Sequence, residues 1–284
     1  MAVISPYSHY FITNDGAQLH YLDKGQGPTL LMLPTWNISC EVFKYQFDDL
    51  SSQYRILTLD MRGHGLSQKV THGYKVHRLA KDLHEFIEHL QLKELILLGH
   101  NFGATIICCY LELFGSSPLS KLIFIDRAAT PMMNPIWNQT EIQNYGPTSD
   151  PKSIDQLCDQ IASSQDDHFM KVFSNCMLSK SASDEKRQLL LDNSDTLPKK
   201  AAASLLYDAF YQDWRSLFPK ITLPTLVIGG RASLISASSQ YWTSQQIPNA
   251  KLVIFEEHEG GKHFPFIENP SYFNQVINNF IQSS

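Results

Sequence analysis

Short, unbroken apolar runs recur along this chain of 284 residues, and they restrict its fold more than any other feature. They are "TLLML" (29–33), "YRILTLD" (54–60), "ELILLG" (94–99), "KLIFID" (121–126), "TLVIGG" (225–230) and "KLVIFEE" (251–257). Continuous runs of this kind mark strands covered on both faces of a parallel sheet. Amphipathic segments lie between them. In "VHRLAKDLHEFIEHL" (76–90), Leu79, Leu83, Phe86, Ile87 and Leu90 share one helical face. "SHYFIT" (8–13) and "AQLHYLD" (17–23), joined by Asn14-Asp15-Gly16, read as an opening hairpin. Strand–helix alternation behind a hairpin predicts an α/β fold with a mostly parallel central sheet and flanking helices.

One interval breaks this rhythm. Residues 128–220 hold no convincing strand but carry helical patterns, "SIDQLCDQIASS", "DDHFMKVFSNCML" and "PKKAAASLLYDAFYQDW". They are expected to form a helical cap inserted after the sixth strand, over a core built from 1–127 and 221–284. The piece "TPMMNPIWNQTE" links the two.

Composition excludes several classes. Of the residues 43% are hydrophobic and 18% charged, an ordinary globular balance. The net charge of −5 comes without a basic patch, so nucleic acid is not an expected partner. No stretch reaches the ~20 apolar residues of a membrane span, and "MAVISPYSHYFI" lacks the pattern of a signal peptide. Cys40, Cys108, Cys109, Cys158 and Cys176 are odd in number and have no CxxC spacing. They read as reduced thiols, which implies a cytoplasmic protein without a structural metal. The expected partner is a small molecule, with no membrane involved; a homodimer is compatible with the sequence.

Ligands of open α/β sheets sit beyond the carboxyl ends of the strands. Three chemically capable residues fall there. Asn101 follows "LILLG", Asp126 ends "LIFID", and His263 follows the last strand in "HEGGKHFPFIENP". Gly99-His100-Asn101-Phe102-Gly103 is a tight strand-to-helix turn, and Asn tolerates the positive φ such turns demand.

In this order the chain resembles the α/β-hydrolase superfamily, and is similar to its small bacterial esterase and non-haem haloperoxidase-like branch. The motifs that carry the resemblance are "LMLPTW" (31–36), "LDMRGHGLS" (59–67), "GHNFG" (99–103), "LIFID" (122–126) and "GGKHFPFIENP" (260–270). The resemblance implies the α/β-hydrolase fold, a nucleophile elbow at residue 101, an acid and a base in the order Asp126, His263, and no metal or organic cofactor. It also implies an oxyanion hole of two backbone N–H groups, from Phe102 and Trp36.

The departures shape the chemistry. Residue 101 is Asn where a Ser or Asp nucleophile is usual. The usual His-Gly after the third strand is Pro34-Thr35. The acid common after the strand before the last is absent, with Ala232 or Ser233 in its place. Asp126 therefore becomes the better acid, with Glu256, Glu257 and Glu259 as nearby substitutes.

A carboxamide has no proton that His263 can remove to make a useful nucleophile, so no acyl-enzyme is expected at Asn101. The leading expectation is a hydrolase-like enzyme for a small, largely apolar carbonyl substrate: an ester, lactone or C–C bond. Either His263 works as a non-covalent general base, or Asn101 inactivates a Ser or Asp enzyme. The alternatives are a ligand-binding protein without turnover and cofactor-free dioxygenase chemistry on a heteroaromatic ring. Supporting candidates are His100, by local bonding, and Arg127, paired with Asp126 or a substrate anion, with exposure as its default. Arg62 and His64 are expected to fix a loop near the elbow. The aromatics Trp137, Tyr145, Phe169, Phe173, Tyr207, Tyr211 and Trp214 are expected mostly in the cap core, some facing the pocket.

Overall fold

The computed structural model describes residues 5–164 and 176–283. An eight-stranded sheet organises the chain: β1 (Ser8–Ile12), β2 (Gln18–Lys24), β3 (Thr29–Leu33), β4 (Arg55–Leu59), β5 (Leu95–His100), β6 (Leu119–Ile125), β7 (Thr225–Gly230) and β8 (Ala250–Phe255). Their spatial order is β1-β2-β4-β3-β5-β6-β7-β8. The β1–β2 hairpin is antiparallel and joins the sheet antiparallel to β4; every other pairing is parallel.

The apolar runs are buried on two sides because alternate residues enter different cores. Leu31, Leu33, Leu57, Leu59 and Leu97 pack in one cluster with Leu79, Leu83, Phe86 and Ile107. These partners come from α2 (Val76–His89) and α3 (Phe102–Phe114). Leu30, Met32, Ile56, Ile96 and Leu98 pack on the other face with Phe47, Phe273 and Ile277. Those come from α1 (Lys44–Leu50) and the last long helix, Pro270–Gln282. β5 lies between β3 and β6, with all six of its residues buried. Its carboxyl end is thus a fixed platform.

Between β6 and β7 the described residues include the α-helices α4 (Gln139–Tyr145), α5 (Pro151–Ser163), α6 (Asp184–Asp192) and α7 (Lys199–Phe210), and a short 3-10 turn at Phe218–Lys220. Side chains start three of them. Asn138 forms a capping box with Glu141, Asp150 accepts from Ser153 N–H, and Ser183 accepts from Lys186 N–H. No helix among the described residues is long and apolar enough to cross a membrane.

Candidate active site

The turn from β5 into α3 is set by two glycines. A Cβ on Gly99 would stand 2.4 Å from Ala104 N, and one on Gly103 2.4 Å from Leu33 O. Strand and helix approach closely because neither residue has a side chain. Asn101 sits between them at φ 46° and ψ −98°, a strained conformation for any residue with a Cβ. Its N–H donates to Ile125 O at 2.8 Å, so the sheet ladder continues up to the turn.

Both polar atoms of the Asn101 side chain are engaged. Nδ2 donates to the backbone oxygen of Asp126 at 3.0 Å, and Oδ1 accepts from Thr35 Oγ1 at 3.3 Å. The same Thr35 oxygen accepts from the Phe102 N–H at 3.5 Å. Thr35 thus places a hydroxyl against one of the two expected oxyanion donors. Trp36 lines the cavity, with its indole N–H donating to Ala202 O at 3.0 Å.

Asp126 directly follows β6 and turns at φ 48° after its N–H bonds Ile228 O. Its side chain is fully buried. Oδ2 accepts from His263 Nδ1 at 2.6 Å and also from the Ser233 hydroxyl, while Oδ1 has no partner among the described residues. His263 is 7% exposed and lines the cavity, and its Nδ1 bond to Asp126 leaves Nε2 as its remaining ring nitrogen. Glu256 pairs instead with Arg231 at 2.9 Å, and Glu259 accepts from the Glu256 N–H. Glu257 is exposed.

His100 anchors the histidine loop. Its Nε2 meets the His263 carbonyl oxygen at 2.8 Å, and because a carbonyl only accepts, Nε2 carries the proton. Burial, and secondarily the neighbouring His263, holds its pKa well below the usual histidine value. Behind the elbow, fully buried Arg62 bonds both oxygens of Asp82 at 2.8 Å and Asp15 at 2.8 Å; His64 stacks on Phe102 at 6.5 Å.

The default exposure expected for Arg127 is not observed. It is 5% exposed and lines the cavity, and its Nε and Nη2 have no acceptor among the described residues. It does not pair with Asp126, whose bonds go to His263 and Ser233. The cavity measures about 300 Å³.

The aromatics between β6 and β7 meet the expectation in part: Trp214 is buried in the core and Tyr145 packs against it, while Tyr207 and Tyr211 are exposed. Among the described ones, Trp137, Tyr145, Tyr207, Tyr211 and Trp214 do not line the cavity, whereas Phe210 does. Helical spacing gives the reason: Leu206, Ala209 and Phe210 share the inner face of α7, while Tyr207 and Tyr211 lie outside, exposed, with their rings in tilted contact at 4.9 Å. Phe169 and Phe173 lie outside the described residues.

His20, Cys40 and Asp60 form the one grouping among the described residues with metal-ligand chemistry. Its lone pairs are already used. His20 bonds Asp60 at 2.8 Å and Ser8 at 2.7 Å, and Asp60 accepts from the Cys40 and Leu66 N–H groups. Burial keeps the Cys40 thiol protonated. The cluster therefore reads as a buried hydrogen-bond network.

An elbow after the central strand, with an acid and a histidine beyond neighbouring strands, defines a class. Residues 28–270 match the family model for the alpha/beta hydrolase fold, and the chain belongs to that family. It is a hydrolase-like member. A non-heme chloroperoxidase of Kitasatospora aureofaciens is 25% identical over 88% of this chain and 90% of its own. Among solved structures, a bromoperoxidase from Bacillus anthracis superposes with a TM-score of 0.87 at 21% identity, covering 97% of this chain and 100% of its own. An esterase from Exiguobacterium antarcticum gives 0.87 at 24% identity, covering 96% and 99%.

Two residues of the site stand out in the sequence only as departures from the family pattern, with no role attached. Ser233 is one of the two residues in the place of the usual acid, 107 positions from Asp126 in the chain. Thr35 stands in the place of a glycine, and its hydroxyl has no partner that the sequence reveals.

Proposed function

We propose that the protein is an enzyme in which His263, oriented by Asp126, acts as a non-covalent general base on a small carbonyl substrate. The ester, lactone or C–C class follows the similar esterase and haloperoxidase. The carrying observation is the 2.6 Å His263–Asp126 bond beside an Asn101 whose amide is already engaged at both atoms. For an ester, Nε2 takes a proton from water as the water oxygen bonds to the carbonyl carbon. The Phe102 and Trp36 N–H groups donate to the developing oxyanion. Collapse breaks the bond to the alkoxide, which leaves with the proton returned by the imidazolium. Asn101 forms no bond to carbon. In this reading residues 128–220 form the cap that closes the cavity from above.

The test is turnover of a panel of aryl esters and lactones by the wild type, Asn101→Ser, and each with His263→Ala. The expected outcome is His263-dependent turnover by the wild type with no acyl adduct in the mass spectrum, and a pre-steady-state burst with an adduct only in Asn101→Ser. An adduct on the wild type, or turnover untouched by His263→Ala, overturns the proposal.

One observation favours a second reading, binding without turnover: the Thr35 hydroxyl occupies the Phe102 N–H. Thr35→Ala separates the two. In an enzyme, freeing that donor raises kcat by up to ~10-fold, a modest part of what an oxyanion donor contributes; in a binder no turnover emerges.

A further inference from the structure

Among the described residues, the Arg127 side chain lacks a partner in a place where a cation needs one. It follows Asp126 at the end of β6, is 5% exposed, and has both Nε and Nη2 buried without an acceptor. Its backbone oxygen is held by Gln240 Nε2 at 3.1 Å, which fixes the residue but does nothing for the charge. Burial pulls the guanidinium pKa down to about 10, so it stays charged at neutral pH.

The two groups that oppose this shift are not counter-ions in contact. Cys108 is a thiol whose own pKa burial pushes up to about 12, so it is neutral. Asp213 is taken by Arg215, at 2.6 Å and 2.9 Å. A buried charge of this kind is retained where something compensates it.

The cavity shows what that is. Among its described lining residues none is acidic, and Arg127 and His263 are the titratable ones. The rest is largely apolar, including Leu157, Leu206, Phe210 and Ile235. A single guanidinium fork matches a carboxylate, which accepts two parallel N–H bonds and cancels one charge. A phosphate dianion would keep an uncompensated charge in an apolar chamber.

We infer that Arg127 is the anion-binding residue of this cavity and that the molecule bound there carries a carboxylate on a small, otherwise apolar frame. The inference rests on the cavity beside His263 being the substrate site, as proposed above. It requires no turnover. Arg127 sets which substrate enters and how it lies, while His263 handles the proton.

Binding tests it apart from catalysis. Phenylacetate, hexanoate, their amides and alcohols, and phenyl phosphate are titrated calorimetrically into the wild type, Arg127→Lys, Arg127→Gln and His263→Ala, with thermal melts as a fold check. The expected result is that the wild type binds the carboxylates at least 10-fold tighter than their neutral isosteres. Arg127→Gln loses that preference, Arg127→Lys keeps part of it, and His263→Ala keeps most of it. Four results each overturn the inference: no carboxylate bound by the wild type, equal binding of the amides, tighter binding of phenyl phosphate, or unchanged carboxylate affinity in a folded Arg127→Gln. Carboxylate binding intact in a wild type that turns over no carboxylate-bearing ester would sink the general-base reading and leave this one standing.

Discussion

Ser233 donates its hydroxyl hydrogen to Asp126 Oδ2, the same oxygen that accepts from His263 Nδ1 at 2.6 Å. One carboxylate oxygen thus serves two donors, while the other, Oδ1, is buried without a partner among the described residues. The second donor fixes the carboxylate's rotation about its last bond, and through it the plane of the imidazole.

Substituting these residues should give graded losses. Asp126→Asn removes the charge that stabilises an imidazolium and permits the wrong histidine tautomer, so kcat should fall by about 10³-fold or more. Ser233→Ala leaves the carboxylate in place and removes one hydrogen bond to it, with an expected cost of about 1–3 kcal/mol in stability and a smaller loss of kcat. Steady-state kinetics and urea unfolding on both variants check this. Equal losses of kcat would show that Ser233 does more than orient the acid.

Gly103→Ala tests the elbow without touching a polar side chain. The added Cβ would meet Leu33 O at 2.4 Å, a backbone atom that leads straight into Pro34 and Thr35. Either β3 or α3 must shift. A loss of about 3 kcal/mol or more is expected in urea unfolding, at the severe end for one methyl group. A variant as stable as the wild type would mean that the strand and helix are less closely packed than described.

Acid should destabilise the fold well before the carboxylates titrate. Burial lowers the pKa of His64 to about 4 and holds that of His100 well below its usual value. In the unfolded chain both histidines titrate near the ordinary value of about 6.5. Between those limits the unfolded state binds protons that the folded state does not. The stability from these neutral histidines is therefore complete above pH ~6.5 and is lost as the pH falls towards ~4, at up to about 1.4 kcal/mol per pH unit for each. Urea midpoints at pH 7.5, 6 and 5 check the slope, and His64→Phe should flatten it; a flat profile for the wild type rules the account out.

The backbone of this architecture was largely legible in the sequence. Unbroken apolar runs such as Leu95–Leu98 can only be buried on two faces, and the structure sends their alternate residues into two cores. Asp126 and His263 were legible as a pair because strand ends converge on one edge of a parallel sheet. Arg127 was legible as a candidate beside Asp126, but its burial was not, since nothing local distinguishes a buried arginine from an exposed one. Its burial depends on what the segment between β6 and β7 lays over it. The aromatics between β6 and β7 were legible in part: Trp214 is buried in the core, but helical periodicity in α7 reveals two faces without saying which turns inward, and there Ala209 and Leu206 line the cavity with Phe210 while Tyr207 and Tyr211 are exposed. Ser233 needed a tertiary contact that sequence spacing does not encode.

The His263 backbone is held from two directions. Its carbonyl receives the His100 side chain from the elbow, and its N–H donates to Met177 O at 3.3 Å, from the segment between β6 and β7. Anyone grafting that segment from a relative to change what the cavity admits would therefore also be editing the mount of the base. A chimera that keeps the peptide at residue 177 in place should leave the proton chemistry tuned as before. One that displaces it would alter specificity and rate together, and the two effects would be easily mistaken for one.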